Sequence, residues 1–172
     1  KDTEIYQGMK LIDEKLGGTT PLEIILKFSG KKNDETAGED DEFKDWDDDD
    51  GDESKYWFTK DKIDKINKVH NYLENTEHVG KVLSFSSIIQ VATKLNNNKE
   101  LGTLEMGVLY SKIPKTVKSE IIDPYISIKD DEARISLRIK DSSKDLRRND
   151  LIKKINFDMQ NEIGLSKEEF KL

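Results

Sequence analysis

The stretch Leu16–Phe28, with the sequence LGGTTPLEIILKF, constrains the fold most strongly, because it puts a helix end, a turn and a strand start side by side. Gly17 can adopt the left-handed conformation that ends a helix. Pro21 fixes its own φ angle and keeps the preceding Thr20 extended. The chain is therefore predicted to leave a helix, turn sharply and enter a strand within these few residues.

The apolar residues on either side of this turn follow two different periods. Upstream they recur at helical spacing, which predicts a short amphipathic helix over residues 3–16 with one apolar stripe, formed by Ile5, Met9, Ile12 and Leu16. Downstream they alternate along residues 21–28, which predicts a strand with one buried face, formed by Leu22, Ile24, Leu26 and Phe28.

A dense acidic block interrupts the chain after this strand. Residues 33–54 hold thirteen of the 36 acidic residues but only one of the 29 basic residues, so the block carries −12 and the remainder of the chain +5. Like charges repel one another and bury no apolar surface. We therefore expect a single domain spanning residues 1–172 in which residues 31–55 form an acidic, flexible insertion.

The remaining elements predict an α+β fold. Periodicity and turn signals indicate helices at 59–75 (with Thr59 as N-cap), after Ser86 or Ser87, at 104–113, at 116–122 and after Ser142 or Ser143. They indicate strands at 79–85, 125–129 and 134–140, and a final strand at 165–172. Two strands in this list form a hairpin and two others flank helices. This order fits a ferredoxin-like split βαβ layout, with a mixed or antiparallel sheet and helices on one face.

Metal and cofactor sites have little support in the sequence. Placing Gly51 at the sixth position of an EF-hand loop puts Trp46 and Trp57 at ligand positions, where neither can bind calcium. His70 and His78 have no carboxylate or histidine partner at metal-ligand spacing, so both are expected to be ordinary, partly exposed histidines. We predict no metal site and no cofactor.

Catalytic and nucleic-acid-binding motifs are weak as well. Ser84, Ser86 and Ser87 lack the flanking glycines of a nucleophile elbow, so N-capping explains them better and no enzyme activity is expected. Gly17 and Gly18 precede a strand instead of a helix, the wrong order for a phosphate cradle. The basic residues of the last helix have no aromatic platform, so no nucleic-acid partner is predicted; they are Lys144, Arg147, Arg148, Lys153 and Lys154.

The aromatic pair Trp57 and Phe58 has two readings. Ahead of the helix that begins near Thr59, the pair fits a hydrophobic anchor of the core. The alternative is an apolar groove for a lipid-like ligand. Such a groove is expected between this helix and residues 104–113.

Taken together, these segments resemble a known family of membrane transporters. The phrase IDEKLGGTTPLEIIL, followed by an insertion and by DKIDKINKVHNYLENTEHVGKVLSFSSIIQVA, is similar to the first periplasmic loop of an RND-superfamily exporter, in the MMPL and Patched-like branch that includes hopanoid and lipid exporters. The later stretch SKDLRRNDLIKKI resembles the last helix of that loop. The most specific signature residues are Gly17, Gly18, Thr19, Thr20, Pro21 and Leu22. The acidic insertion does not belong to the family pattern.

The resemblance implies a soluble porter domain on the periplasmic side of a bacterial inner membrane. Such a domain alternates between conformations and helps to move an amphiphilic or lipid-like substrate outward, while proton coupling lies in transmembrane helices outside this chain. Its expected partners are other domains of the same, homo-oligomeric transporter. The alternative is a free-standing periplasmic binding or adaptor module with a cation-responsive acidic loop. A hydrolase is the third reading and has no matching motif.

Overall fold

The computed structural model describes residues 3–28 and 57–172; the acidic insertion predicted at residues 31–55 lies outside these ranges. The described chain forms, in order, α1 (Glu4–Lys15), β1 (Thr20–Lys27), α2 (Lys60–Glu74), β2 (Val79–Leu83), α3 (Phe85–Leu95), α4 (Thr103–Lys112), the short α5 (Lys115–Val117), a π-helical turn (Lys118–Ile122), β3 (Ile126–Ser127), β4 (Glu132–Ile139), α6 (Arg148–Asn161) and β5 (Phe170–Lys171). The predicted α+β class is confirmed.

The strands form one antiparallel sheet with β4 and β1 at its centre. These two strands pair along their whole length, from Thr20 opposite Ile139 to Lys27 opposite Glu132. β5 extends the sheet beside β1, whereas β2 and β3 pair with opposite ends of the other edge of β4. The predicted hairpin and the predicted final strand are therefore both present.

Two helical connections cross this sheet. α2 joins β1 to β2, and β4 lies between those strands in the sheet order; α6 joins β4 to β5, and β1 lies between them. α2 contacts α6 and the residues just after it, because the Tyr72 hydroxyl donates to Asp158 at 2.5 Å and Lys68 Nζ donates to the Ile163 carbonyl at 2.8 Å.

The core lies on one face of the sheet. Ile24 and Leu26 of β1 are buried together with alternate residues of β4, while the intervening residues of both strands are more exposed. The covering side chains come largely from α2 and α6 and include Ile63, Ile66, Val69, Leu73, Ile155 and Met159. This pattern is the expected one for a sheet with one covered and one solvated face.

Trp57 and Phe58 are anchors of this core. Their exposed fractions are 6% and 2%. Trp57 packs edge-to-face on Phe28 and on Phe58, and Phe58 continues the stack to Phe85. The anchor reading of this pair is confirmed.

Two helix starts differ from the predicted ones. α3 is capped by Ser84 instead of Ser86 or Ser87, because the Ser84 hydroxyl accepts the Ser86 amide proton at 3.1 Å. α6 begins at Arg148 instead of after Ser142 or Ser143, because the Ser142 amide and hydroxyl are bound to Asp13.

None of the helices within residues 3–28 and 57–172 has the length and the apolar sequence needed to span a membrane.

Candidate functional site

The signature residues Gly17–Leu22 lie at the junction where α1 meets the end of the sheet. The turn crosses the end of β4, with the Thr19 amide donating to the Ile139 carbonyl at 3.2 Å. It then contacts β2, since the Lys81 amide donates to the Gly17 carbonyl at 3.2 Å. Thr20 and Pro21 begin β1 opposite Ile139 and Arg138. These residues are brought together as a backbone junction.

Asp13 holds this junction together. Its carboxylate accepts hydrogen bonds from the Thr19 hydroxyl at 2.8 Å, the Asp141 amide at 3.2 Å, and the Ser142 amide and hydroxyl at 2.8 and 2.6 Å. Burial acts to raise the pKa of Asp13, but the hydrogen bonds from Ser142, Thr19 and Asp141 outweigh it and lower the pKa to about 2. Asp13 is therefore a buried, ionised clamp between the α1–β1 turn and the loop after β4.

Asp13 is the second residue of the quoted phrase IDEKLGGTTPLEIIL, but its place in the sequence assigns it no role of its own. A single acidic residue in a predicted surface helix reads as a solvated charge. The useful signal was that Asp13 lies one helical turn before the glycine pair. From that position its carboxylate can reach back toward the turn.

An ion pair extends the clamp outward. Arg148 Nε donates to Asp141 Oδ1 at 2.7 Å, and a second guanidinium nitrogen contacts the other carboxylate oxygen. The Arg148 guanidinium lowers the pKa of Asp141. Because Arg148 is exposed, the ion pair helps to orient the loop but contributes little to the stability of the fold.

The apolar stripe of α1 is exposed, in contrast to the buried apolar residues of the sheet and of α2. The exposed fractions are 78% for Ile5, 57% for Met9, 46% for Ile12 and 57% for Leu16. The only buried residue of the helix is Asp13. Within the described residues, α1 is thus attached at its C-terminal end and presents its apolar side chains to solvent.

The apolar cavity lies in a different place from the groove predicted between α2 and residues 104–113. Its walls are α3, α4 and the π-helical turn instead of α2, and its lining is apolar apart from the Tyr110 hydroxyl: Phe85, Ile88, Ile89, Ala92, Leu101, Met106, Leu109, Tyr110, Ile113 and Ile122. The cavity measures about 30 Å³. A space of this size admits about one water molecule, so a lipid-like ligand needs α3 and α4 to separate.

His70 and Ser84 form a buried polar pair. His70 is 1% exposed, so the prediction of a partly exposed histidine is wrong. Its Nδ1 lies 2.9 Å from the Ser84 hydroxyl, and its Nε2 lies 3.3 Å from a Glu74 carboxylate oxygen. The contacts run from Ser84 through His70 to Glu74, which resembles the serine–histidine–acid triad of a hydrolase. However, the Ser84 hydroxyl is fully buried and caps α3, so no substrate reaches it in this conformation.

A second histidine lies at the surface beside two carboxylates. His78 Nε2 is 3.8 Å from Glu77 Oε1 and 3.9 Å from Asp145 Oδ2, and one ligand atom from each residue lies within 4.8 Å of the others. The sequence search missed this group because Asp145 is distant in the chain. Imidazole and carboxylate groups are metal ligands, so this cluster is the candidate metal site among the described residues.

Comparison with protein-family models, with curated proteins and with solved structures finds no match to this chain.

Proposed function

We propose that this chain is the porter-type domain of an RND-superfamily exporter, at the first periplasmic loop of the MMPL and Patched-like branch. In this role it lies on the periplasmic side of a bacterial inner membrane and changes conformation to help move an amphiphilic or lipid-like substrate outward. Proton coupling belongs to transmembrane helices outside these residues. The partners are other domains of the transporter and further copies of it.

The exposed apolar stripe of α1 is the observation that carries the proposal. An isolated globular domain normally packs such a stripe on its own core. Here Met9 and Leu16 are each 57% exposed, although the helix is fixed at its C-terminal end by buried hydrogen bonds. A contiguous apolar surface of this kind is typical of a contact with another protein surface. In the proposed exporter, that surface belongs to a neighbouring domain.

The strand order supports a ferredoxin-like split βαβ fold, which the family resemblance implies. The units β1–α2–β2 and β4–α6–β5 each enclose one strand of the other unit. All neighbouring pairs are antiparallel. The additional helices α3 and α4 are inserted between β2 and β3, where they build the apolar cleft. We propose that this cleft widens when the domain changes conformation and then contacts the apolar part of the substrate.

Membrane fractionation of the full-length gene product tests the proposal. The gene is expressed with its natural flanking sequence and an epitope tag at exposed Lys99. We expect the product to remain in the inner membrane after a carbonate wash, and the tag to become protease-sensitive once the outer membrane is opened. Recovery in the aqueous fraction would overturn the exporter assignment. Recovery in the membrane with a cytoplasmic tag would overturn the periplasmic placement.

The acidic block supports a second candidate, a free-standing binding or adaptor module that responds to cations. Its −12 charge over residues 33–54 favours association with cations or basic partners. An aqueous, periplasmic product in the same fractionation would favour this candidate. Calcium titration of the chain with and without its acidic residues would then be the next measurement.

A further inference from the structure

Glu77, His78 and Asp145 form a surface group whose side chains come from two separate segments. Glu77 and His78 lie in the turn between α2 and β2, and Asp145 lies in the loop between β4 and α6. The two segments are joined at the backbone, because the Lys140 amide donates to the His78 carbonyl at 2.9 Å. The three side chains therefore converge on a region whose backbone is already held in place.

The backbone of His78 has an unusual conformation. Its φ angle is +64°, a left-handed value that few residues other than glycine adopt. The side chain is only 19% exposed, while those of Glu77 and Asp145 are 80% and 75% exposed. The imidazole is thus a fixed donor, and the two carboxylates retain the freedom to move toward a bound ion.

We propose that Glu77, His78 and Asp145 bind a divalent transition-metal ion, with Zn²⁺ as the best match. Ligands of tetrahedral zinc lie at about 2.0–2.2 Å from the metal, which places ligand atoms roughly 3.4 Å from one another. The separations of 3.8 and 3.9 Å from His78 Nε2 are a few tenths of an ångström longer. Rotation of the two exposed side chains would close this difference and would also adjust the spacing of the Glu77 and Asp145 oxygens, which lie within 4.8 Å of each other.

The ligand set selects zinc over the common alkaline-earth ions. Imidazole suits zinc, copper, nickel and iron, whereas calcium and magnesium prefer sites built entirely from oxygen. Calcium also takes six to eight oxygen ligands. Three protein donors, one of them nitrogen, leave a fourth zinc position for water or for an exchangeable ligand.

The cavity beside the group has space for that fourth ligand. It measures about 220 Å³ and is lined also by Leu146, Arg147, Asp150, Leu151 and Lys154. Arg147 and Lys154 are cationic and Asp150 is anionic, so these additional residues carry a net charge of +1, which favours an anionic ligand at the open position. The site therefore suits a zinc ion that carries a small anion or a carboxylate from a partner.

The location gives the metal a structural consequence. A bound ion would connect the turn that starts β2 to the loop that leads into α6 and so tie together two units of the fold. Because a ligand that binds only the folded state stabilises it, zinc should raise the midpoint of thermal unfolding. This inference is independent of the exporter assignment.

Zinc titration of the complete chain tests the site, with two site variants and one control. H78N removes the imidazole while supplying a residue that tolerates a positive φ angle. D145N changes an exposed carboxylate, so it leaves the fold intact. The control E168Q removes one negative charge from an exposed residue outside the cluster. Calorimetry measures affinity, and long-range ¹H–¹⁵N spectra report on the imidazoles of the two histidines in the chain.

We expect one zinc ion to perturb the His78 ring nitrogens and not those of His70. H78N and D145N should each weaken this binding at least tenfold, E168Q should leave it unchanged, and Mg²⁺ should bind at least a hundredfold more weakly. The zinc-induced rise in the unfolding midpoint should disappear in D145N. Equal zinc affinity in the wild type and D145N, or zinc binding that leaves the His78 signals unmoved, would overturn the site.

Discussion

Gly80 of β2 approaches Gly17 of the α1–β1 turn so closely that a Cβ atom on Gly80 would lie 1.5 Å from the Gly17 carbonyl oxygen. The atom that would be struck is backbone, so no side-chain rotation relieves the contact. The Lys81 amide donates to the same carbonyl at 3.2 Å. The turn and the strand can therefore meet only when residue 80 has no side chain.

The substitution G80A should consequently destabilise the protein strongly. Separating the turn from β2 costs the Lys81 hydrogen bond and loosens the Asp13 clamp, and we expect a loss of about 3 kcal/mol or more in the free energy of unfolding. Chemical denaturation monitored by circular dichroism measures this loss. The matched control is G8A, because no atom lies within 4 Å of a Cβ at that helical position. G8A should stabilise by about 0.5–1 kcal/mol. Equal stability of both variants would contradict the packing described.

Replacing the Asp13 carboxylate by an amide should also destabilise the fold. D13N keeps one acceptor oxygen, so its NH2 group must face either the Asp141 amide, which donates to Oδ1, or the Ser142 amide, which donates to Oδ2. Hydrogen bonds to a charged group contribute about 1.5–3 kcal/mol, so we expect a loss of about 2 kcal/mol. E14Q is the control, since Glu14 is exposed and forms one surface ion pair with Lys10. A D13N variant as stable as E14Q would show that the clamp is not needed.

Asp13 also makes stability depend on pH. Its pKa is about 2 in the folded protein and 3.8 for an unperturbed aspartate, so the contribution is fully present above about pH 4 and is lost as the pH falls toward 2. The difference corresponds to about 2 kcal/mol. The free energies of unfolding of the wild type and D13N, obtained from chemical denaturation, should converge by about this amount between pH 5 and 2. Parallel curves for the two proteins would place the acid sensitivity elsewhere.

Some elements of the fold are determined by local sequence signals. Thr59 caps α2 as predicted, and the hairpin of β3 and β4 follows from alternation and a short polar connection. Both depend on neighbours in the chain. The start of α6 was predicted too early because Ser142 looks like a helix cap, although its hydroxyl is bound by Asp13 from the opposite end of the sequence.

The candidate functional surfaces likewise depend on contacts between residues that are far apart in the sequence. The stripe of α1 has the spacing of a core face, yet Met9 is exposed, because spacing reports amphipathicity and not what covers the face. The cleft lies against α3 since Phe85 and Ile88 face α4. The cluster around His78 forms only when the loop after β4 folds back. Each of these needs the tertiary fold, which periodicity does not determine.

Ser84 offers a test of the buried polar pair. Its hydroxyl caps α3 and lies 2.9 Å from His70 Nδ1, so S84A removes a cap and leaves a buried imidazole nitrogen unsatisfied. Loss of a cap alone costs about 1 kcal/mol, and the unsatisfied nitrogen adds to it, so we expect about 2 kcal/mol. S111A is the control, because that exposed hydroxyl contacts only the Val108 carbonyl of its own helix. S84A should also shift the His70 imidazole signals, and an unmoved His70 spectrum would exclude the contact.

Substitutions in the exposed stripe of α1 can distinguish a role in folding from a role in a larger assembly. In the isolated chain, the double variant M9Q/I12Q should change the free energy of unfolding by no more than about 0.5 kcal/mol, because both side chains are exposed and glutamine is a good helix former. For comparison, I24A at the fully buried centre of β1 should cost about 2–5 kcal/mol. The same denaturation experiment measures both variants.

In the proposed full-length exporter, the same double variant should impair transport while protein abundance stays normal, because it removes the apolar surface proposed to contact a neighbouring domain. K10Q on the same helix is the control and should leave transport intact, since Lys10 is exposed and pairs with Glu14 at the surface. The measurement is the accumulation of amphiphilic substrate in cells whose only copy of the gene carries each variant. Normal transport by M9Q/I12Q would remove the main support for the proposed function. A marked loss of stability in the isolated variant would instead show that the stripe packs within this chain.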